Sequence, residues 1–271
     1  MKYALISGAC SGLAQVVIQS LKDDYIIFAL DINPFVHELY KNGVNIHSFT
    51  CDITDSSQIE KTKIEISKST SSLDVIINFA GIVELGSVIE ISPAKFEKSM
   101  QVNVIGNYKI NYAFFPLIKA GRGRFIIVSS EYGKLLGLPF HSFYTVSKHA
   151  LEMYADSLRR EVQCLGIKVI KIRPGSFKTE MVANIQKQFT TLVQETALFK
   201  RPITKMEFLM IGEIRNAREP QRIVNVFNKA INKKNPRIVY HVHNSLKMKM
   251  LNMLPSRLQD WILDRYFPNN N

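Results

Sequence analysis

Short apolar runs, separated by segments of helical periodicity, restrict the fold of this 271-residue chain more than any other feature. Runs of strand character fall at residues 3–7, 25–30, 45–50, 74–79, 124–129, 167–172 and 237–242. Several of them, such as YIIFAL, DVIINF and RFIIVS, are apolar throughout, the pattern of strands covered on both faces. Between them the spacing predicts helices that include 13–22, 56–68, 94–120 and 142–165. Such alternation builds right-handed βαβ units into a doubly wound parallel sheet of the α/β class.

No Gly/Ser/Pro-rich linker divides the chain, and 46% hydrophobic residues suffice for one large core. The expected organisation is a Rossmann-type domain over residues 1–243, followed by an amphipathic helical extension over 244–271. Three cysteines, Cys10, Cys51 and Cys164, are odd in number, widely spaced and set among apolar residues. They argue against a disulfide framework or zinc site and for a reducing, cytoplasmic setting. His241 and His243 share a strand face without a Cys or carboxylate partner, so no metal is expected. The apolar start is broken by Gly8, Ser11 and Gly12 and followed by Lys22, Asp23 and Asp24, which fits a strand, turn and helix better than a secretory signal. No 18-residue apolar run is present, so no membrane-spanning helix is expected. Charge is lopsided: the chain carries a formal +12, and from Lys171 onward 18 Lys/Arg face 7 Asp/Glu, a net of +11.

Ligands of doubly wound sheets bind beyond the carboxyl ends of the strands, so the residues just after each strand carry the chemistry. After the first strand comes SGACSGLA, in which Gly8 and Gly12 suit either an ordinary tight turn or a backbone that approaches a pyrophosphate at a helix N-terminus. Asp31 ends the second strand, where a carboxylate accepts from adenosine ribose hydroxyls and repels a 2′-phosphate. That repulsion is about 4 kcal/mol for charges ~4 Å apart at an effective dielectric of 20. NAD(H) is therefore expected over NADP(H). Asp52 after the third strand either holds the adenine amino group or caps a helix. Asn78 to Gly81 form another small-residue turn. Tyr144 and Lys148 lie one helical turn apart on a common face.

Together these segments resemble the classical short-chain dehydrogenase/reductase family, from about Lys2 to Thr179 and in the family's order. The glycine motif stands as Ser7-Gly8…Gly12-x-Ala14, the second turn as Asn78-Phe79-Ala80-Gly81, and the helix asparagine as Asn103. The Y-x-x-x-K pair is Tyr144 and Lys148, and P-G-x-x-x-T is Pro174, Gly175 and Thr179. Three positions depart from the pattern. Ala14 replaces a glycine, Phe79 replaces the second asparagine, and Ser129 and Ser130 both end the fifth strand, Ser130 fitting the double-serine pattern.

The resemblance implies an oxidoreductase that moves a hydride between substrate carbon and nicotinamide. Tyr144 would be the general acid/base, its pKa lowered from ~10 by Lys148 and the positive nicotinamide ring. Ser130 would orient the substrate oxygen, and Asn103 would keep a water in a proton relay from Lys148. The coenzyme would rest on Gly8, Ser11, Gly12, Leu13, Asp31, Asp52, Ile53, Asn78, Ala80, Gly81, Tyr144, Lys148, Pro174, Gly175, Phe177 and Thr179.

Residues 176–215 correspond to the family's substrate lid and are strongly apolar. Met181 and Phe189 on the lid, with Phe140 and His141 opposite, are expected to meet substrate beside Ser130. This pattern, with GLPF, LRRE and the long basic C-terminus, is most similar to the hydroxysteroid- and retinol-dehydrogenase-like branch. That implies a lipophilic alcohol and its ketone or aldehyde, no nucleic acid, and a homo-oligomer. The rivals are a 3-oxoacyl carrier-protein reductase-like enzyme and a non-catalytic dinucleotide- or lipid-binding protein. In the extension, Leu246, Met250, Met253 and Leu254 share a face. Ser256 and Gln259 have capping-box spacing ahead of Leu258, Trp261, Ile262 and Tyr266. The stripe either packs on protein or forms a peripheral membrane contact.

Overall fold

A computed structural model describes residues 1–267; the last four residues of the expected extension lie outside the described residues. The chain begins β1 (Lys2–Ser7), α1 (Gly12–Leu21), β2 (Tyr25–Asp31), α2 (Phe35–Leu39), β3 (Ile46–Thr50), α3 (Ser56–Ser69) and β4 (Val75–Asn78). It continues with α4 (Pro93–Met100), a π-helical turn (Gln101–Gly106), α5 (Asn107–Ala113), α6 (Phe115–Gly121) and β5 (Arg124–Val128). Next come α7 (Ser142–Val162), β6 (Lys168–Pro174), α8 (Glu180–Glu195), α9 (Lys200–Arg215) and α10 (Val224–Asn232). Last are β7 (Val239–Val242), α11 (Leu246–Asn252) and α12 (Ser256–Tyr266).

The strands form one 7-stranded sheet in the order β3-β2-β1-β4-β5-β6-β7, with every pairing parallel. The winding direction reverses between β1 and β4. Ser7 pairs with Asn78 there, so two strand ends open a crevice at the switch point. Alternate strand residues feed opposite cores. Ala4, Ile6, Val75 and Ile77 join α1 and α10, whereas Leu5, Ile76, Phe125 and Ile127 join α3, α5, α6 and α7. Each such side chain, fully buried, contributes roughly 1.5–3 kcal/mol. This two-sided burial explains why the strands read as continuous apolar runs.

On β6 the α7-facing positions hold charge. Lys171 and Arg173 are buried against Glu152 and Asp156: Arg173 grips Glu152 through two 2.7 Å bonds, and Lys171 reaches Glu152 at 2.9 Å and Asp156 at 2.8 Å.

The structure corrects several local expectations. The helix expected over 94–120 is interrupted by the π turn, and it breaks again at Phe114, ahead of Pro116, whose ring cannot donate to the helix. The last strand is shorter than expected and starts at Val239. Asp55, not Asp52, caps α3, accepting from the backbone of Ser57 and Gln58. Ser256 and Gln259 form no capping box, because Pro255 occupies the cap position and Gln259 Nε2 donates to Leu254 O at 2.7 Å. Cys164, expected among apolar neighbours, is exposed after α7.

Candidate active site

The crevice deepens into a cavity of about 520 Å³ at the carboxyl ends of β1, β2, β4, β5 and β6. Its first wall is the β1–α1 turn. Gly8 adopts φ +71, and a Cβ there would lie 2.6 Å from the Ala80 nitrogen, so only glycine fits. Ser11 caps α1 by accepting from Ala14 N at 3.3 Å, and Ser11, Gly12 and Leu13 at this helix start line the cavity. A Cβ at Gly12 would come within 3.1 Å of Thr179 Cγ2, so the loops after β1 and β6 nearly touch.

At the end of β2, Asp31 accepts from Cys10 N at 2.8 Å through one oxygen and from Asn33 N at 2.9 Å through the other. The carboxylate is thereby fixed at the cavity edge with a lone pair left on each oxygen. Burial and the neighbouring Asp31 push the Cys10 thiol up to about 12, so this cysteine stays protonated. The basic side chains among the described residues lining the cavity are Lys98 and Lys148, and neither follows β2.

Of the residues expected at the coenzyme, Ser11, Gly12, Leu13, Asp31, Gly81, Tyr144, Lys148, Pro174, Gly175, Phe177 and Thr179 line this cavity. Gly8, Asp52, Ile53, Asn78 and Ala80 lie outside its lining. Asp52 binds its own loop, accepting from Thr54 N and Oγ1 at 2.8 Å. Ile53 packs where a Cβ on Gly106 would stand, 2.7 Å from that point. Asn78 is buried with both amide atoms lacking a hydrogen-bond partner. Phe79, the departure from the family asparagine, turns into the core and stacks on Phe227 at 5.0 Å.

The reacting end is built by β5, α7 and the π turn. Tyr144 and Lys148 sit on one face of α7, with Lys148 Nζ 5.7 Å from the Tyr144 ring centroid. Burial raises Tyr144 to about 12, opposed by a hydrogen bond with the Ser130 side chain. The Lys148 ammonium is itself buried and drawn down to about 8, with Glu152 one turn on pushing back. The serine pair also resolves. Ser130 meets Tyr144, whereas Ser129 Oγ lies under Gly133, 2.5 Å from where a Cβ would stand.

Asn103 is fully buried and spans two elements. Its amide donates to Ile82 O at 2.9 Å and Ser147 Oγ at 2.9 Å, and its oxygen accepts from Ile82 N at 2.7 Å. The π turn supplies this placement, as such bulges do at functional sites. The space above Gly81 is bounded by Asn103 Oδ1 and Lys148 Nζ, 3.1 and 3.4 Å from a Cβ built there.

On the substrate side Met181 and His141 line the cavity, but Phe140 and Phe189 do not. Phe189 is fully buried and tilts against His141 at 5.3 Å, while Phe140 packs on Phe199 at 5.7 Å. Both form the packing behind the wall, because α8 and α9 bury part of their own apolar stripe. The lid springs from one point, where Lys178 N donates to Arg218 O at 2.8 Å. Gln188 ties α8 to the loop after β4, donating to Val83 O at 3.0 Å and accepting from Leu85 N at 3.2 Å.

Burial holds His141 down to about 4, so the ring is neutral; its Nδ1 has no hydrogen-bond partner. Sequence reasoning missed the four glutamates of the cavity wall, Glu84, Glu131, Glu180 and Glu213. The one available signal was an acidic residue directly after the serine pair.

A doubly wound sheet with a glycine turn, an acidic β2 terminus and a Ser/Tyr/Lys cluster defines a nicotinamide-dependent oxidoreductase. A sequence model described as short chain dehydrogenase matches residues 2–189, and the chain belongs to that family. It is 30% identical to 3beta-hydroxysteroid dehydrogenase dhs-16 of Caenorhabditis elegans, over 97% of this chain and 74% of that protein. It is 27% identical to short-chain dehydrogenase/reductase family 9C member 7 of Mus musculus, over 98% and 90% respectively. Solved structures share the fold at low identity. A Burkholderia phymatum short chain dehydrogenase/reductase in complex with NAD has a TM-score of 0.74 at 18% identity, covering 88% of each chain. ElxO with NADP bound has a TM-score of 0.70 at 24% identity, covering 89% of this chain and 95% of its own.

Proposed function

We propose that this enzyme interconverts a lipophilic secondary or allylic alcohol and its ketone or aldehyde, of steroid or retinoid type, with NAD(H) preferred. The observation that carries the reading is the Tyr144–Ser130 pair with Lys148, buried in a cavity that also reaches Asp31. The β2 and β5 ends are three strand spacings apart in the sheet, about 14 Å, which separates the ribose-reading carboxylate from the reacting groups.

The bound coenzyme supplies the hydride, or accepts it. The chain's own groups do the rest. Tyr144, protonated in its buried setting, gives its proton to the substrate oxygen during reduction and takes it back during oxidation. Ser130 Oγ bonds the same oxygen and fixes its distance from the phenol. Lys148 would hold the nicotinamide ribose, and its charge would stabilise phenolate when the proton leaves. Asn103 keeps a lone pair on Oδ1 beyond its Ile82 bond and borders Lys148 across Gly81, which suits a proton path to solvent. His141, neutral, forms part of the chamber wall that also holds Met181.

NAD(H) preference follows from Asp31, whose carboxylate is anchored by two backbone donors and faces no lining cation after β2. A panel of sterols, retinoids and medium-chain alcohols, read by NADH fluorescence, tests the assignment. Turnover of a sterol or retinoid with NAD(H) is the expected result. Bound dinucleotide without turnover of any alcohol, or better turnover with NADPH and an acyl-carrier substrate, overturns it.

A further inference from the structure

Neither α11 nor α12 fully buries any side chain. Leu246 and Met250 of α11 and Met253 at its C-cap are 69%, 61% and 77% exposed and recur at the spacing of one helical face. On α12, Leu258 and Trp261 are 41% and 53% exposed. The lid contributes to the same region. Lys205 Nζ of α9 lies 4.3 Å from the Tyr266 ring centroid, so α9 and α12 touch. Phe208 and Leu209 follow Lys205 at i+3 and i+4, on the face turned toward that contact, and Phe208 is 74% exposed.

Large apolar side chains left open to water on α9, α11 and α12 call for something to cover them. Their charge says what covers them. The three helices carry eight Lys/Arg against four Asp/Glu. Lys247, Lys249 and Arg257 flank the apolar positions, and the Arg265 guanidinium lies 4.5 Å from the Trp261 ring centroid. An isologous contact between two copies would set this positive rim against itself. An anionic surface would neutralise it. No described helix is long and apolar enough to cross a membrane.

We propose that α11, α12 and the Phe208 edge of α9 form one surface that docks on an anionic phospholipid bilayer. The apolar stripe enters the headgroup boundary while the basic rim meets lipid phosphates and carboxylates. On its other side α9 carries Met210 and Ile214 into the cavity wall, so one helix touches both lipid and the substrate chamber. The docking surface stands independently of the substrate reading.

Trp261 is the single tryptophan of the chain, so its emission reports on this surface alone. The test uses the full-length protein with phosphatidylcholine vesicles and with phosphatidylcholine/phosphatidylserine vesicles, at low and high salt. Co-flotation with the phosphatidylserine vesicles, a blue shift of Trp261, and release by salt are expected. Replacing Phe208→Ser, Met250→Glu and Met253→Glu together should lower partitioning at least ~tenfold, since each loses buried apolar area. Thermal melting and dinucleotide binding confirm that the variant is folded. Three results overturn the proposal. One is no binding to anionic vesicles at low salt. Another is undiminished binding by the folded variant. The third is a blue-shifted Trp261 without vesicles, together with a dimer mass that the variant loses, which would make this face a contact between copies.

Discussion

Glu131 Oε2 accepts a hydrogen bond from the backbone N–H of Ser245 at 2.8 Å, joining residues 114 positions apart. Glu131 directly follows Ser130, and Ser245 caps α11 by accepting from Met248 N. The turn that holds Ser130 is thus pinned to the start of the C-terminal helix pair.

Glu131 should make stability fall as pH rises. Burial, with Glu213 nearby, raises its carboxyl to about 7, against an ordinary value of 4.5. Below 4.5 both folded and unfolded chains hold the proton. Between 4.5 and 7 only the folded chain does, so stability is progressively lost across that window, by about 3 kcal/mol once ionisation is complete. Glu131→Gln keeps an oxygen for Ser245 and removes the titration. The variant's melting temperature relative to the parent should climb from pH 5 to pH 8. A difference that stays flat refutes the assignment.

Glu152→Gln should destabilise the fold by about 3–5 kcal/mol, because Lys171 and Arg173 remain buried with their main counter-charge gone. Denaturant unfolding measures this. Removing the cation as well, in Glu152→Gln/Arg173→Met, should recover part of the loss. Lys148 also loses the carboxylate that supports its charge, so any kcat/KM limb that reports it should move to lower pH.

Phe79→Asn restores the family residue and should still be costly. Phe79 stacks on Phe227 within the α1/α10 core, and losing such a ring costs about 3 kcal/mol. A shift in denaturant midpoint without a change in slope is the expected signature.

Tyr144→Phe should bind NADH as the parent does and lose at least ~100-fold in turnover, the scale for removing a general acid/base. Near-parental activity would exclude the phenol from proton transfer.

Asp31→Ala should weaken NAD(H) and narrow its advantage over NADP(H), measured as the ratio of kcat/KM on one substrate. The lost carboxylate also frees Cys10 N and Asn33 N, so dinucleotide affinity should be followed separately by fluorescence.

What the sequence by itself determined was whatever local spacing encodes. Continuous apolar runs identified the strands because both sheet faces are buried. Gly8, Gly12, Asp31, Tyr144 and Lys148 were legible because each stands at a set offset from a strand end or along one helix face. Tertiary structure decided the rest. Ser130 rather than Ser129 meets Tyr144 because the turn after β5 aims the two side chains differently, Ser129 toward Gly133. Asn103 reaches Ile82 and Ser147 only through a π turn that helical periodicity does not announce. Phe140 and Phe189 left the cavity for the packing behind it, since an apolar lid fills its own interior before it lines a chamber. Burial pushes Tyr144 up to about 12 and Lys148 down to about 8, an effect of packing that the spacing of the pair does not carry. The Glu131–Ser245 bond and the Glu152–Arg173–Lys171 cluster join segments far apart in the chain. Their energies come from desolvation and from which elements meet, and neither quantity is written in any short stretch of residues.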